Sequence, residues 1–173
     1  GGDPLALSDR HLDWLLGQLE AIPHLTSVRL HSRVPVVVPS RLTAELLRIL
    51  TNRKLQIVLV LHCNHAQEID SGFAESLRRF AANGVTLLNQ SVILKDVNDN
   101  AETLCELSKA LFAAGILPYY LHLPDEVQGT AHFDVARNQA QELVMAMQHS
   151  LPGYLVPKLV KEEAGEDSKT RLA

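Results

Sequence analysis

The sequence predicts an α/β fold built on a parallel sheet. Three observations carry this. The apolar runs at residues 55–61 and 85–92 are nearly continuous, as strands buried on both faces are. Each run gives way to apolar residues at helical spacing. This strand–helix alternation repeats four times, which demands right-handed crossovers and hence parallel strands. A closed eight-stranded barrel needs about 250 residues. The chain has 173, so an open sheet or most of a barrel is expected.

In order, Ser8 caps a first helix in which Leu12, Leu15, Leu16, Leu19 and Ile22 recur, and Pro23 stops it. Residues 26–33 lean towards strand. The run 34–39 carries Pro35 and Pro39 and reads as extended loop. Thr43 caps a second helix reaching Leu50, and the 55–61 strand follows. Asp70 or Ser71 opens a third helix with Phe73, Leu77 and Phe80 inward, and Asn83-Gly84 ends it as a left-handed cap does. After the 85–92 strand, Asn98-Asp99-Asn100 turns into a fourth helix carrying Leu104, Leu107 and Leu111, closed by Gly115. Residues 116–123 form another strand. Asp134 starts a fifth helix with Ala136, Ala140, Leu143, Val144 and Met147 on one face. Residues 154–160 are extended, and the charged end of the chain should be mobile unless a ligand orders it.

Composition is globular, and the net charge of −4 gives no footprint for nucleic acid or an anionic membrane. No apolar run approaches the ~18 residues that span a bilayer. Cys63 and Cys105 form no CxxC pair, so these cysteines alone make neither a disulfide framework nor a metal or iron–sulfur site. Both read as small core residues. The cytoplasm is the default compartment.

Parallel α/β folds bind ligands at the carboxyl ends of their strands. Those ends carry His31 and Arg33, then His62, Asn64 and His65, then Asn89 and Gln90, then His122 and Asp125. Successive strands delivering polar groups to one edge point to a shared site. Two chemistries suit it: a zinc-dependent hydrolase using His31, His62, His65 and Asp125, or donors and acceptors around an organic cofactor. The turn Gly1-Gly2-Asp3-Pro4-Leu5 offers bare backbone to a ligand and one carboxylate for an ammonium. It has no strand feeding it, which predicts that part of the fold precedes residue 1.

Several motifs occur together in one order: Gly-Gly-Asp-Pro-Leu at 1–5, Ser32-Arg33-Val34-Pro35-Val36-Val37, His62-Cys63-Asn64-His65, Asn89-Gln90-Ser91-Val92, Val97-Asn98-Asp99, Pro118-Tyr119-Tyr120, His132-Phe133 and Gly153-Tyr154-Leu155-Val156-Pro157. Together they resemble the lysine 2,3-aminomutases of the radical S-adenosylmethionine (SAM) superfamily, in the branch that forms (R)-β-lysine for modifying elongation factor P. The resemblance implies a partial (βα)6 barrel. Residues 1–152 would supply its C-terminal four βα units and 153–173 an extended tail. The first strands and the [4Fe–4S] cysteine loop would lie outside this chain, leaving it inactive alone.

The resemblance further implies an isomerase that converts L-α-lysine to (R)-β-lysine with SAM, pyridoxal 5′-phosphate (PLP) and a [4Fe–4S] cluster. Its product would link functionally to elongation factor P and that factor's lysine ligase. Gly1, Gly2 and Asp3 would contact the SAM amino group, and His62 and Gln90 would lie near the cofactors. Asp125 and Glu162 would hold the substrate's ε-ammonium. Lys169 would form the imine with PLP, with Lys158 and Lys161 as rivals. The sequence here, Gly165-Glu166-Asp167-Ser168, lacks the glycine run that relatives carry before that lysine. Oligomeric state stays open.

Overall fold

The computed structural model describes residues 2–124, 131–162 and 169–172. Helix α1 spans Asp9–Glu20, strand β1 Ser27–Ser32, α2 Val34–Val37, α3 Ala44–Thr51, β2 Gln56–Leu61, α4 Ser71–Ala82, β3 Thr86–Val92, α5 Ala101–Ala113, β4 Leu117–His122, α6 Arg137–Ser150, β5 Lys158–Lys161 and β6 Thr170–Arg171. Among the described residues, six strands form one sheet in chain order. β1 and β2 pair in parallel from Ser27↔Gln56 to Ser32↔Leu61. β4 and β5 pair in parallel from Tyr120↔Lys158 to His122↔Val160. The α/β fold with a mainly parallel sheet is therefore as expected, and β6 adds an antiparallel strand against β5.

The helix starts follow from side-chain caps. Ser8 accepts from the amide of His11, Thr43 from Leu46 and Asp70 from Phe73, each filling an acceptor that the first turn of a helix lacks. Gly84 at φ +89° and Gly115 at φ +83° end α4 and α5 in the left-handed region.

Two local expectations fail. Residues 34–37 are a short helix, because proline at its first turn neither loses a needed hydrogen bond nor clashes. The fifth helix begins at Arg137, with Ala136 as its cap, so Asp134 does not start it.

The chain divides into two compact units, Gly1–His62 with Asp70–Leu88 and Ala114–Ile116, and Cys63–Ile69 with Asn89–Ala113 and Leu117–Ala173. In the first, α1 packs on α3, with Leu12, Leu16 and Leu46 fully buried. In the second, α5 packs on α6 and β4. Its core joins Leu104, Leu121, Val144, Met147, Leu159 and Leu172.

Leu172 packs into this core. It is 7 % exposed, its amide donates to the carbonyl of Leu159 at 2.9 Å, and Gln141 Nε2 donates to its carbonyl at 2.8 Å. Burying one leucine contributes about 1.5–3 kcal/mol. A single apolar residue in a charged segment gives no periodic signal.

Candidate functional site

In the first unit, the polar groups after β1 converge on Asp3. Asp3 Oδ1 accepts from the Ser32 hydroxyl at 2.6 Å and the Leu5 amide at 2.9 Å. Oδ2 accepts from the amides of Arg33 at 2.8 Å and Val34 at 3.3 Å. Burial raises the Asp3 carboxyl, but these bonds from Ser32, Arg33, Leu5 and Val34 outweigh it and hold the group below the usual carboxylate range. Arg41 grips the same turn from its other end, donating to the carbonyls of Leu5 and Leu7 and pairing with Asp9. Four donors take up the acceptor capacity of a carboxylate. The geometry thus supports Asp3 chiefly as the knot that shapes the turn.

At Gly2 an added Cβ would meet nothing within 4 Å, so open space borders that backbone. His31 and His62 meet edge to face at 6.1 Å between ring centroids. Gly1 lies outside the described residues.

In the second unit, most strand-end polar groups are committed to backbone. Asn89 Oδ1 accepts from the Cys63 amide, and its Nδ2 donates to the Cys63 carbonyl and Ser91 Oγ. Asn64 Oδ1 accepts from the Val92 amide at 2.9 Å. Asn98, fully buried, accepts from the Leu94 amide and donates to the carbonyls of Asn64 and Val92. Glu68 accepts from the amides of Asn64 and His65. Bonds of this kind satisfy loop backbone that would otherwise be buried unpaired. Gln90 differs: its side-chain oxygen is buried and meets no donor among the described residues. Such an acceptor suits a ligand's N–H or O–H group.

The second cluster gathers on Lys169. Its Nζ lies 2.8 Å from Glu162 Oε1, 3.1 Å from His122 Nε2 and 5.1 Å from the centre of the Tyr120 ring. His122 is 8 % exposed and its ring meets Tyr120 edge-on at 5.9 Å. The sheet pairing builds this group. Strand β4 carries Tyr120 and His122 on one face, and the antiparallel pairing of β6 with β5 places Lys169 beside them.

A lysine amine beside an imidazole and a carboxylate can exchange its proton locally, which a nucleophilic amine needs. The Glu162 side chain is 57 % exposed, so the ion pair itself contributes only about 0–1 kcal/mol after screening.

Among the anticipated residues, Glu162 and Lys169 are in contact. Asp125 lies outside the described residues. His122 and Tyr120 were absent from the proposed cofactor and substrate contacts. The polar strand end flagged His122, but nothing local announced that Lys169 returns to it.

The rival lysines are placed otherwise. Lys158 sits over the Tyr119 ring at 5.5 Å. Lys161 lines an open cleft of about 450 Å³ with Pro124, Asp134 and Arg137. Among the described residues no group of three or more His, Cys, Asp or Glu is placed to hold a metal ion, so the zinc hydrolase reading gains no support. Cys63 and Cys105 are buried, and burial pushes the Cys105 thiol up.

No family model matches the chain. The L-lysine 2,3-aminomutase of Escherichia coli (strain K12) is 54% identical over 172 residues, covering 99% of this chain and 50% of that protein. The chain is therefore similar to lysine 2,3-aminomutases. The L-lysine 2,3-aminomutase of Haemophilus influenzae is 51% identical over 173 residues, 100% of this chain and 51% of that one. A glutamate 2,3-aminomutase from Clostridioides difficile is 32% identical over 172 residues, 99% of this chain and 40% of that one. The motif resemblance to lysine 2,3-aminomutases is thus borne out, and the chain spans about half the length of the curated relatives it matches.

Among solved structures, a domain of pyruvate-formate lyase-activating enzyme from Bacteroides vulgatus superposes with a TM-score of 0.63 at 11% identity, covering 94% of this chain and 96% of that one. Streptococcus suis SuiB bound to S-adenosylmethionine superposes with a TM-score of 0.62 at 16% identity, covering 95% of this chain and 39% of that one. These likenesses concern the fold.

Proposed function

We propose that this chain is the lysine- and PLP-binding part of an L-lysine 2,3-aminomutase, an isomerase that moves the α-amino group of L-lysine to the β-carbon. The observation that carries this reading is the match, at 54% identity, to a lysine 2,3-aminomutase over 99% of the chain. In this reading residues 1–152 belong to the barrel and 153–173 form the tail bearing Lys169. The cluster cysteines lie outside the chain, the enzyme works in the cytoplasm, and its product goes to elongation factor P by way of the factor's lysine ligase. That destination rests on the motif resemblance.

The residues present fit the cofactors. A lysine amine beside an imidazole and an aromatic ring suits PLP, and the Gln90 acceptor, which meets no donor among the described residues, suits a ligand donor. When bound, PLP supplies an aldehyde and a conjugated ring able to spread an unpaired electron, while SAM and a reduced cluster supply a hydrogen-abstracting radical.

Lys169 anchors the aldehyde. His122 Nε2 accepts a proton from Lys169 Nζ, and Tyr120 covers one side of that nitrogen. Glu162, with Asp125, neutralises the far ammonium of the substrate. Asp3 holds the Gly-Gly turn so that its backbone, with His62 near it, meets the SAM amino group. A side-chain carboxylate in place of the ammonium would be repelled by Glu162, which favours lysine over glutamate.

The test supplies the intact protein with PLP, SAM, dithionite and L-lysine and separates the products by chiral chromatography. Formation of β-lysine supports the reading. Turnover of glutamate instead of lysine overturns it.

A further inference from the structure

We propose that Arg41 is a positioning residue for SAM: it fixes, from the far end of the turn, the backbone that meets the cofactor's amino group. The inference rests on the reading that the Gly-Gly turn is a SAM contact. One short stretch, residues 32–41, holds that turn at two ends. At the first, the Ser32 hydroxyl and the Arg33 and Val34 amides close on Asp3. At the second, Arg41 Nε donates to the Leu5 carbonyl at 2.9 Å and Nη2 to the Leu7 carbonyl at 3.3 Å, while Nη1 lies 2.8 Å from Asp9 Oδ1. Asp9 is the first residue of α1. One guanidinium thus spans the exit of the turn and the start of the helix after it.

The turn has little hold of its own. Pro4–Ala6 is a single 3₁₀ turn, closed by the Ala6 amide on the Asp3 carbonyl at 3.1 Å and the Leu7 amide on the Pro4 carbonyl at 3.4 Å. A helical piece this short is marginal without outside contacts. Arg41 is itself placed by the short turn Pro39–Arg41, where its amide donates to the Val38 carbonyl at 2.9 Å. An ammonium could not replace it, because only the fork of a guanidinium reaches two carbonyls and a carboxylate together.

Arg53, in the same unit, is a matched comparison. Its side chain is 10 % exposed against 15 % for Arg41. It too donates to two carbonyls, those of Ile49 and Asp13, and pairs with Asp13 and Glu20. None of these partners lies in the turn. Loss of Arg53 should therefore cost stability alone. Loss of Arg41 should also lower the fraction of protein whose turn has the binding shape, and apparent affinity falls with that fraction.

The experiment measures SAM affinity of the intact protein by equilibrium dialysis, and amide hydrogen exchange on the same protein without SAM. Arg41→Ala is expected to weaken SAM about tenfold, the equivalent of one hydrogen bond to a charged group. The KM for SAM should rise alike, with kcat at saturating SAM and the KM for lysine within about twofold of wild type. The Ala6 and Leu7 amides should exchange faster. Arg41→Lys keeps the charge without the fork and should stay about fivefold weaker than wild type; it carries the same test should Arg41→Ala fail to fold. Arg53→Ala should lower the unfolding midpoint and leave SAM affinity unchanged.

Equal SAM affinity in Arg41→Ala and wild type overturns the inference, as does an equal loss in Arg53→Ala or full recovery in Arg41→Lys. Unchanged exchange at Ala6 and Leu7 denies the grip itself. A wild-type protein that binds no SAM sinks the reading of the turn as a SAM contact, and faster exchange in Arg41→Ala then leaves the arginine a structural role only.

Discussion

Asp3 and Glu162 are both carboxylates beside strand ends, and they are held in opposite ways. Asp3 accepts four bonds, three of them from backbone amides, and its pKa is depressed. Glu162 pairs with Lys169 at 2.8 Å, and its side chain is 57 % exposed. The same contrast separates Asn98, closed on three backbone groups, from Gln90, whose buried oxygen meets no donor among the described residues. The difference teaches how to sort polar strand ends. Groups consumed by backbone shape a site, whereas an acceptor such as that of Gln90, which meets no donor among the described residues, keeps capacity for a ligand.

The comparison can be broken first at Asn98. Asn98→Ala leaves the Leu94 amide and the Asn64 and Val92 carbonyls without their partner. It should destabilise by about 3 kcal/mol and lower the unfolding midpoint by about 10 °C, read by thermal denaturation. A loss below about 1 kcal/mol would put Asn98 with the open groups.

Asp3→Asn should cost about 2 kcal/mol at neutral pH, because one oxygen and the charge are lost. The sign of its pH dependence follows from the depressed pKa. The contribution of Asp3 is fully present above the unfolded-state value, about 3.9, and fades as pH falls through the folded-state value. Urea denaturation should show a constant gap between wild type and variant from about pH 5 to 8, narrowing below about pH 4. A gap independent of pH would deny that the carboxylate is the knot.

Lys169→Met should change stability by less than about 1 kcal/mol, since its ion pair is screened. A larger loss would make the cluster structural. Smallest of all, Glu45→Gln should leave the unfolding midpoint unchanged, because its pair with Arg48 is exposed on both sides.

Much of the fold was legible locally. Ser8, Thr43 and Asp70 announced helix starts, Gly84 and Gly115 announced ends, and the continuous apolar run before His62 announced a parallel strand. Residues 34–37 misled because a proline signals a break, although the first turn of a helix accepts it. The site was legible as a list of residue types. Which polar side chains were spent on backbone was not, since the neighbours Asn89 and Gln90 lie on opposite faces of β3, one buried and one half-buried, and nothing local says which face is which. The meeting of Lys169 with His122, like the Leu172–Leu159 hydrogen bond, is a long-range contact with no local pattern.

The central claim is that the lysine beside His122 and Glu162 is the one that carries the cofactor. Borohydride reduction of the PLP-loaded protein followed by peptide mass mapping tests it directly. The account predicts a reduced pyridoxyl group on Lys169. Its appearance on Lys158 or Lys161, with Lys169 unmodified, would contradict it.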